Sequence, residues 1–316
     1  MWLGRLAFSR AVAQVGHTRG VSLTSVGDLA RRLDDPEHEV RLRVVDTRWY
    51  LLRPGDGRAA YDAGHVPGAI FLDLDTDLSA PPGPGHIGGL GRHPLPTAAE
   101  FAARMGAAGI GDDSIVVVYD DAGGGVAARL WWMLDALGHR EVSVLDGGWQ
   151  AWLAAGLPTS TDPPAYPPTT LTTRAAWPRT IERRDLRTRL RSVVLLDGRA
   201  PERYRGEVEP IDPAAGHVPT AVSAPIAGNL GLDGRFLPPT ELRRRFQALG
   251  ALAARPSDPQ PTVVTACGSG TNACQTALAM RLAGLPDPLV YIGSFSDWSR
   301  AGQPVAAGNA PGDAPG

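Results

Sequence analysis

The chain of 316 residues repeats itself. Four segments of the first half recur in the same order in the second half, at offsets of 151, 152, 147 and 146 residues. The pairs are VVDTR (44–48) with LLDGR (195–199), AGHVPGAIFLDL (63–74) with AGHVPTAVSAPI (215–226), VVVYD (116–120) with VVTAC (263–267), and DGGWQAWLAAGLP (146–158) with IGSFSDWSRAGQP (292–304). Because four ordered matches at a nearly constant offset are hard to obtain by chance, they predict a tandem duplication of one domain of about 130 residues.

Each half alternates two kinds of segment. Short β-branched runs such as SIVVVY (114–119) and PTVVTA (261–266) are typical of buried strands. The stretches TAAEFAARMGAAG (97–109) and PTELRRRFQALGA (239–251) are typical of helices. This alternation predicts an α/β fold in which each half has a central, mainly parallel sheet flanked by helices.

The composition of the connecting segments suggests the domain boundaries. PTSTDPPAYPPTT (158–170) has the composition of an extended linker, and GNAPGDAPG (308–316) that of a disordered end. We therefore predict an N-terminal tail at 1–20, domains at 21–158 and 179–306, a linker at 159–178 and a disordered tail at 307–316. Residues 1–20 contain arginine and no acid, which we interpret as a tail on a cytoplasmic protein, with a mitochondrial presequence as the alternative.

The composition excludes several classes of function. The net charge is −2 and no dense basic run occurs, so we expect no nucleic-acid partner. No apolar stretch of about 18 residues occurs, so we expect no membrane span. All basic residues other than histidine are arginine, which excludes a Schiff-base or P-loop lysine. The two cysteines, Cys267 and Cys274, form neither a CxxC motif nor a disulfide framework.

Cys267 lies in a loop that suits a reactive thiol. It ends an apolar run, and the segment CGSGTNAC (267–274) leads into a helix-like stretch. The carboxyl end of a parallel strand is where open α/β sheets bind ligands. Gly268 and Gly270 allow successive N–H groups to turn inward, and the following helix adds its positive end, so both favour a thiolate over a thiol. We predict that Cys267 is a nucleophile in a cradle of amides.

The surroundings of the two cysteines also bear on phosphatase chemistry and on the role of Cys274. A cysteine phosphatase needs an arginine six residues after its cysteine to hold phosphate oxygens, and that position is Ala273. Phosphoryl transfer is therefore poorly supported. Cys274 has no comparable setting and is expected only to pack in the helix.

The chain resembles the tandem-domain sulfurtransferases, the rhodanese and 3-mercaptopyruvate sulfurtransferase family, over about residues 21–306. The resemblance rests on CGSGTNAC (267–274), RYRGEVEP (203–210), AGHVPTAV (215–222) and GSFSDW (293–298). The cysteine loop is closer to CGSGVTAC of the mercaptopyruvate enzymes than to the thiosulfate enzymes, which usually carry an Arg-Lys pair after the cysteine. The family has an inactive first half, in agreement with Asp120 at the repeat position of Cys267.

The resemblance implies transfer of sulfur from 3-mercaptopyruvate to a thiol, thioredoxin or cyanide through a persulfide on Cys267, with no cofactor and no metal. Ser269 matches the family's loop serine, and Arg203 matches the arginine that binds the donor carboxylate. Arg199 matches an arginine that usually pairs with an acid. We expect the remaining substrate-binding positions to be Gly268, Gly270, Thr271 and Asn272.

Two features leave alternatives open. EPIDPAAGH (209–217) lacks the second carboxylate-binding arginine that mercaptopyruvate enzymes often have, so part of the clamp comes from elsewhere or thiosulfate is used as a donor too. His65 matches a histidine proposed in some members to assist proton transfer with an upstream aspartate, for which Asp56 is the candidate. Its recurrence as His217 favours a structural role. A non-catalytic persulfide-binding module is the remote alternative, and two domains in one chain suggest a monomer.

Overall fold

The computed structural model describes residues 22–255 and 257–315, and it contains two parallel sheets, one in each half of the chain. The prediction of two α/β domains with central parallel sheets is confirmed. The proposed N-terminal tail, with its presequence alternative, lies outside the described residues. Within the described part of the chain, no helix is long and apolar enough to cross a membrane.

The first domain contains five strands and six helices. In chain order these are β1 (Leu23–Thr24), α1 (Val26–Leu33), α2 (Pro36–Glu39), β2 (Leu42–Asp46), α3 (Asp56–Ala63), β3 (Ala69–Phe71), α4 (Ala98–Ala107), β4 (Ile115–Tyr119), α5 (Ala127–Leu137), β5 (Val142–Leu145) and α6 (Gly148–Ala154). The sheet order is β1-β5-β4-β2-β3, and every pairing is parallel. Strand β2 is buried along its whole length, as expected for a parallel strand covered on both faces.

The second domain repeats this arrangement. Its elements are α7 (Arg183–Arg189), β6 (Val194–Asp197), α8 (Pro201–Arg205), β7 (Val222–Ser223), a 3₁₀ turn (Ile226–Asn229), α9 (Pro239–Ala248), β8 (Val263–Ala266), α10 (Thr271–Leu282), β9 (Leu289–Val290) and α11 (Ser294–Arg300). The sheet order is β7-β6-β8-β9. The place of β1 is taken by a single parallel bridge between Thr180 and Val290, so the two sheets follow one topology.

The duplication extends to individual ion pairs. Arg48 Nη2 lies 2.6 Å from Asp46 Oδ2, and Arg199 Nη2 lies 2.7 Å from Asp197 Oδ2. Each guanidinium also donates to a glycine carbonyl oxygen 2.7 Å away. Arg199 therefore pairs with an acid at the end of its strand, as the family resemblance implied.

The two domains share an apolar core. Trp131 and Trp132 of α5 belong to the same cluster of buried residues as Cys274, Ala277 and Leu278 of α10. Helices α5 and α10 each follow the central strand of their own sheet and pack against one another. This contact brings the carboxyl ends of β4 and β8 to the interface between the domains.

One connection differs between the two halves. Residues 72–97 join β3 to α4 in the first domain, whereas the equivalent residues 224–238 of the second domain form a shorter connection containing the 3₁₀ turn. The longer loop reaches the second domain, where the Leu90 N–H donates to Asp297 Oδ1 at 3.0 Å and the Arg92 N–H to Ser296 Oγ at 3.0 Å. It forms one side of the interface around Cys267.

The last described residues return to the second domain. The Thr220 N–H donates to the Pro311 carbonyl at 2.6 Å, the Gly308 N–H donates to the Arg205 carbonyl at 2.9 Å, and His217 Nε2 lies 3.1 Å from the Ala310 carbonyl. We predicted disorder for residues 307–316 from their composition. The hydrogen bonds of residues 308–311 do not agree with that prediction. Residues 308–311 pack along the domain because backbone and side-chain groups there form hydrogen bonds with them.

Candidate active site

Cys267 follows β8 directly and begins the loop that leads into α10. It is almost fully buried. The Gly270 N–H points back to Cys267 Sγ at 3.1 Å, and the Cys267 N–H donates to Ser294 Oγ at 3.0 Å. Gly270 has φ of +84°, and a Cβ there would lie 2.3 Å from the Ile292 carbonyl oxygen. Only glycine fits at this position, and its conformation aims an amide at the sulfur.

Ser269 connects the loop to the first domain. Its Oγ lies 2.8 Å from Nδ1 of His93, and Nε2 of His93 lies 2.9 Å from Asp75 Oδ1. Trp49 Nε1 donates to the other oxygen of Asp75 at 2.8 Å. His93 is buried and forms an edge contact with the Trp49 ring, whose centroid is 5.4 Å from its own. A serine, a histidine and an aspartate thus form a continuous chain across the interface.

The protonation states within this chain follow from the contacts. The hydrogen bond from His93, with a further one from Trp49, lowers the pKa of Asp75, so its carboxylate is an acceptor. Burial lowers the pKa of His93, so the imidazole is neutral at neutral pH. The single ring N–H must then be on Nε2, donating to Asp75, and Nδ1 accepts the hydroxyl hydrogen of Ser269. His93 is therefore positioned to exchange a proton with Ser269.

His65 lies elsewhere. Its Nδ1 is 2.9 Å from the Tyr61 carbonyl oxygen, its Nε2 is 3.2 Å from the Asp162 carbonyl oxygen, and its ring stacks on Tyr61. His217 has the same arrangement, stacked on Tyr204. These contacts support the structural interpretation of His65 and give no support to its assisting role or to that of Asp56. The histidine that reaches the cysteine loop is His93.

Two guanidinium groups approach Gly268. A Cβ built on Gly268 would lie 2.8 Å from Arg92 Nη2 and 3.4 Å from Arg203 Nη1. Arg203 donates to Glu209 through Nη2, at 2.6 and 2.8 Å from the two oxygens, and through Nε at 3.2 Å, while Arg92 Nη1 lies 2.6 Å from Asp212 Oδ1. The carboxyl group of a donor next to Cys267 would thus meet positive charge. Arg203 lies beside the cysteine loop, and its binding of the donor stays a prediction.

The other two predicted loop positions face different surroundings. Thr271 is buried at the first turn of α10, and its Oγ1 has no hydrogen-bond partner within residues 22–255 and 257–315. Asn272 points to the first domain, since a Cβ on Gly125 would lie 2.7 Å from its Oδ1. Substrate binding by either residue remains a prediction.

Cys274 is enclosed in the core of the interface. Its thiol donates to the Gly270 carbonyl oxygen at 3.4 Å. Burial raises the pKa of the Cys274 thiol to about 12, although the nearby Arg129 guanidinium opposes this. Arg129, on α5, donates through Nη2 to the His93 carbonyl oxygen at 3.0 Å and so holds the histidine's backbone. Cys274 is suited to packing, as predicted from its place in the helix.

The first domain carries a matching loop around a carboxylate. Asp120 follows β4 as Cys267 follows β8, and it is completely enclosed. Its two oxygens accept hydrogen bonds of 2.8–2.9 Å from the N–H groups of Ala122, Gly124, Val126 and Ala127. The loop amides thus enclose a carboxyl group in the first domain, while one loop amide faces the sulfur atom in the second. Burial raises the pKa of the Asp120 carboxyl, although the four hydrogen bonds oppose this.

Sequence reasoning missed Asp75, Arg92 and His93, all of which belong to the long loop 72–97. This loop has no helical or strand periodicity, and its partner lies in the other half of the chain. The available signal was its length, because a long connection without secondary structure in a compact domain is usually functional. No group of three or more His, Cys, Asp or Glu side chains able to hold a metal ion occurs among the described residues.

Comparisons with known proteins agree with this architecture. The family model for the rhodanese-like domain matches twice, at residues 25–155 and 182–301. A probable 3-mercaptopyruvate sulfurtransferase of Pseudomonas aeruginosa is 45% identical over 91% of this chain and 98% of its own. A putative thiosulfate sulfurtransferase of Mycobacterium tuberculosis is 37% identical over 92% and 99%. The solved structure of 3-mercaptopyruvate sulfurtransferase from Leishmania major superimposes with a TM-score of 0.75 at 29% identity, covering 90% of this chain and 76% of that one.

Proposed function

Because the chain belongs to the rhodanese family as a tandem-domain sulfurtransferase, we propose that it takes sulfur from 3-mercaptopyruvate and passes it to a thiol acceptor through a persulfide on Cys267. The acceptor is a small thiol or a thioredoxin-type protein, and cyanide can replace it in an assay. Cys267 is suited to the role because it ends a parallel strand and its sulfur receives an amide hydrogen bond.

In the first step, the Cys267 thiolate attacks the donor sulfur and the sulfur–carbon bond breaks. The electron pair leaves with the carbon as the enolate of pyruvate, which must take up a proton to become pyruvate. The sulfur remains on Cys267 as a persulfide, and the proton of the donor thiol balances the one gained by carbon. The enzyme therefore needs a group that moves a proton near the leaving carbon.

The observation that carries the choice of donor is the chain formed by Ser269, His93 and Asp75. It supplies a neutral imidazole and a hydroxyl group beside the loop, with contacts of 2.8 and 2.9 Å. Sulfite, the leaving group from thiosulfate, departs as an anion and needs no proton. A proton relay at this place is thus useful for mercaptopyruvate and unnecessary for thiosulfate.

In the second step, the acceptor attacks the outer sulfur of the persulfide. The sulfur–sulfur bond breaks, and its electron pair returns to Cys267 as the thiolate. With cyanide the product is thiocyanate, and with a thiol it is a persulfide of that thiol. The same loop amide that received the incoming charge is then ready for another donor.

Thiosulfate is the second candidate donor. The arginines next to Gly268 would also attract its two negative charges, and one of the similar proteins is named a putative thiosulfate sulfurtransferase. The test is thiocyanate formation with each donor at matched concentrations and excess cyanide. We expect a higher kcat/KM with 3-mercaptopyruvate. A higher value with thiosulfate would contradict the proposed donor while retaining the sulfurtransferase activity.

A further inference from the structure

Arg129 of α5 is a charged side chain that is completely enclosed in the core between the two domains. Its neighbours in the helix, Ala128 and Leu130, belong to the same buried cluster as Cys267 and Cys274. Burial lowers the pKa of Arg129, but a guanidinium group remains protonated at neutral pH even in such surroundings. The interface therefore contains a buried positive charge, which is costly unless a negative charge offsets it.

Most of this guanidinium group lacks a partner in the part of the protein that the structure describes. Its Nη2 donates to the His93 carbonyl oxygen at 3.0 Å and to the Leu78 carbonyl oxygen at 3.4 Å. Within residues 22–255 and 257–315, its Nε and Nη1 are buried without a hydrogen bond, and no carboxylate pairs with it. Two backbone carbonyl groups do not offset a full charge in the core, so the cation calls for a further explanation.

Contacts from two directions place the guanidinium group behind the cysteine loop. On one side its Nη2 reaches the backbone of His93, whose ring lies 2.8 Å from Ser269 Oγ. On the other side it adjoins the thiol of Cys274, which donates to the Gly270 carbonyl oxygen at 3.4 Å. The Gly270 N–H points in turn to Cys267 Sγ at 3.1 Å. A negative charge on either sulfur atom would therefore stabilise the buried cation.

The other arginines close to the loop already have acid partners. Three of them form ion pairs of 2.6–2.7 Å, Arg199 with Asp197, Arg203 with Glu209 and Arg92 with Asp212. The remaining titratable groups at the loop are neutral His93, which is bonded to Asp75, and the Cys274 thiol, which burial keeps protonated by raising its pKa to about 12. Among the described groups around Cys267, the charge of Arg129 is thus the one that no acid offsets.

We propose that Arg129 is the counter-charge of the Cys267 thiolate, so that the first domain holds a cation behind the cysteine loop and the ionised sulfur supplies the negative charge that this cation lacks. An ionised persulfide on Cys267 is stabilised in the same way. The inference rests on the proposed function, because it assumes that Cys267 reacts as a thiolate. Arg129 acts through the charge of the sulfur and is a positioning residue. The competing interpretation is that Arg129 only holds the backbone of His93.

The test measures how readily Cys267 ionises when no sulfur donor is present. Iodoacetamide reacts with the thiolate and not with the thiol, so its rate of reaction with Cys267 follows the ionised fraction. The rate is measured by peptide mass spectrometry over a range of pH, and the midpoint of the profile is compared between the wild type and the variants. The reagent is uncharged, so the readout does not depend on recognition of a donor carboxylate.

We expect Arg129→Gln to move the midpoint to higher pH by about one unit, which lowers the rate at low pH about tenfold. The plateau at high pH should change by no more than about threefold, because a more basic thiolate is a slightly better nucleophile. Arg129→Lys keeps the charge and should keep the midpoint close to that of the wild type.

Arg104→Gln is the matched control. Arg104 also belongs to the first domain and also holds the long loop, since its Nη1 donates to the carbonyl oxygens of Asp77 and Ser79 at 3.1 and 2.9 Å. Its loss should leave the midpoint unchanged. If Arg129→Gln does not fold, Arg129→Met provides the same comparison, because an apolar chain in place of a buried charge is often neutral or stabilising.

A second control separates the sulfur from the histidine. The profiles are repeated with His93→Gln in both the wild-type and the Arg129→Gln background, which removes the titration of the imidazole. We expect the difference between the two midpoints to persist. If it disappears, Arg129 acts only through His93 and the inference is wrong.

The inference and the proposed function can fail separately. A midpoint that is the same in the wild type, Arg129→Gln and Arg129→Met would overturn the inference, even if the protein forms thiocyanate from 3-mercaptopyruvate. If the midpoint rises as expected but the wild-type protein forms no thiocyanate from either donor, the counter-charge stands and the proposed function fails.

Discussion

Asp120 and Cys267 occupy equivalent positions, each at the carboxyl end of a central strand and each facing amides of the loop that follows. The duplicated loop directs backbone N–H groups at a side chain in both domains, four of them at Asp120 and one, from Gly270, at Cys267. In the first domain that side chain ends in a carboxyl group, which cannot carry sulfur, and the loop is closed around it. Only in the second domain does a thiol, that of Cys267, occupy this position.

Asp120 should be important for stability although it is not proposed to take part in catalysis. Asp120→Asn replaces one of two acceptor oxygens by an NH₂ group that faces amide donors. We expect the free energy of unfolding to fall by about 1–3 kcal/mol. Urea denaturation measures this, with the exposed Asp113→Asn as control. Equal stability of the two variants would show that the loop does not depend on the carboxylate.

The two cysteines should differ completely in their effect on activity. Cys267→Ser should abolish thiocyanate formation, because a serine hydroxyl is not ionised at neutral pH and cannot carry a persulfide. Cys274→Ser should keep most of the activity, since burial raises the pKa of that thiol to about 12 and keeps it protonated. After donor treatment, mass spectrometry should find about 32 Da added at Cys267, one sulfur atom. Activity surviving in Cys267→Ser would refute the mechanism.

His93 should affect the two donors unequally. His93→Gln removes the base that exchanges a proton with Ser269, so kcat with 3-mercaptopyruvate should fall by about 100-fold or more. Turnover of thiosulfate, whose leaving group needs no proton, should change little. His65→Asn, which loses contacts with two backbone carbonyls, should lower Tm and keep kcat per folded molecule. Equal losses with both donors would contradict the relay.

The same histidine should contribute to the pH dependence of stability. Burial lowers the pKa of His93 below its usual value of 6.5, so on acidification the unfolded chain takes up the proton first. Stability therefore falls as the pH drops through about 6.5, by up to about 1.4 kcal/mol per pH unit for one histidine. Urea denaturation between pH 7.5 and 5.5 should give a shallower slope for His93→Gln. Parallel curves for the variant and the wild type would exclude this contribution.

The two loop glycines should respond differently to a methyl group. In Gly268→Ala the new Cβ lies 2.8 and 3.4 Å from the ends of the Arg92 and Arg203 side chains and at an ordinary 3.9 Å from Arg199 Cδ, so the fold should survive while KM for 3-mercaptopyruvate rises about tenfold. In Gly270→Ala the residue is forced to a φ of +84° and against the Ile292 carbonyl, so stability should fall by about 2 kcal/mol or more. Thermal denaturation and donor kinetics on both variants separate the effects. An unstable Gly268→Ala would contradict the placement of the arginines.

Local patterns in the sequence were sufficient for the fold and for one side of the site. The repeat predicted two domains of one topology because each segment pair was short and lay on a strand or beside one. The loop around Cys267 could be interpreted because its glycines, serine and cysteine are contiguous, and the chemistry of amide cradles depends on backbone conformation within a few residues.

The other side of the site could not be predicted in the same way. His93 meets Ser269 across 176 positions of the chain, and nothing in the local sequence of either residue specifies that contact. It depends on the packing of α5 against α10, which is set by large buried side chains over the whole interface. The repeat singles out His65 instead of His93, because His65 recurs as His217. That recurrence indicates a structural element common to both domains.

The long loop of the first domain also bears on how a duplicated chain evolves. A copy without a thiol would usually be free to diverge or to be lost, but this copy contributes His93 and Asp75 to the site beside Cys267. The site is therefore built from both halves, like a site between the two subunits of a heterodimer, but within one polypeptide. The covalent connection keeps the partners at equal stoichiometry and at a local concentration that dilution cannot lower.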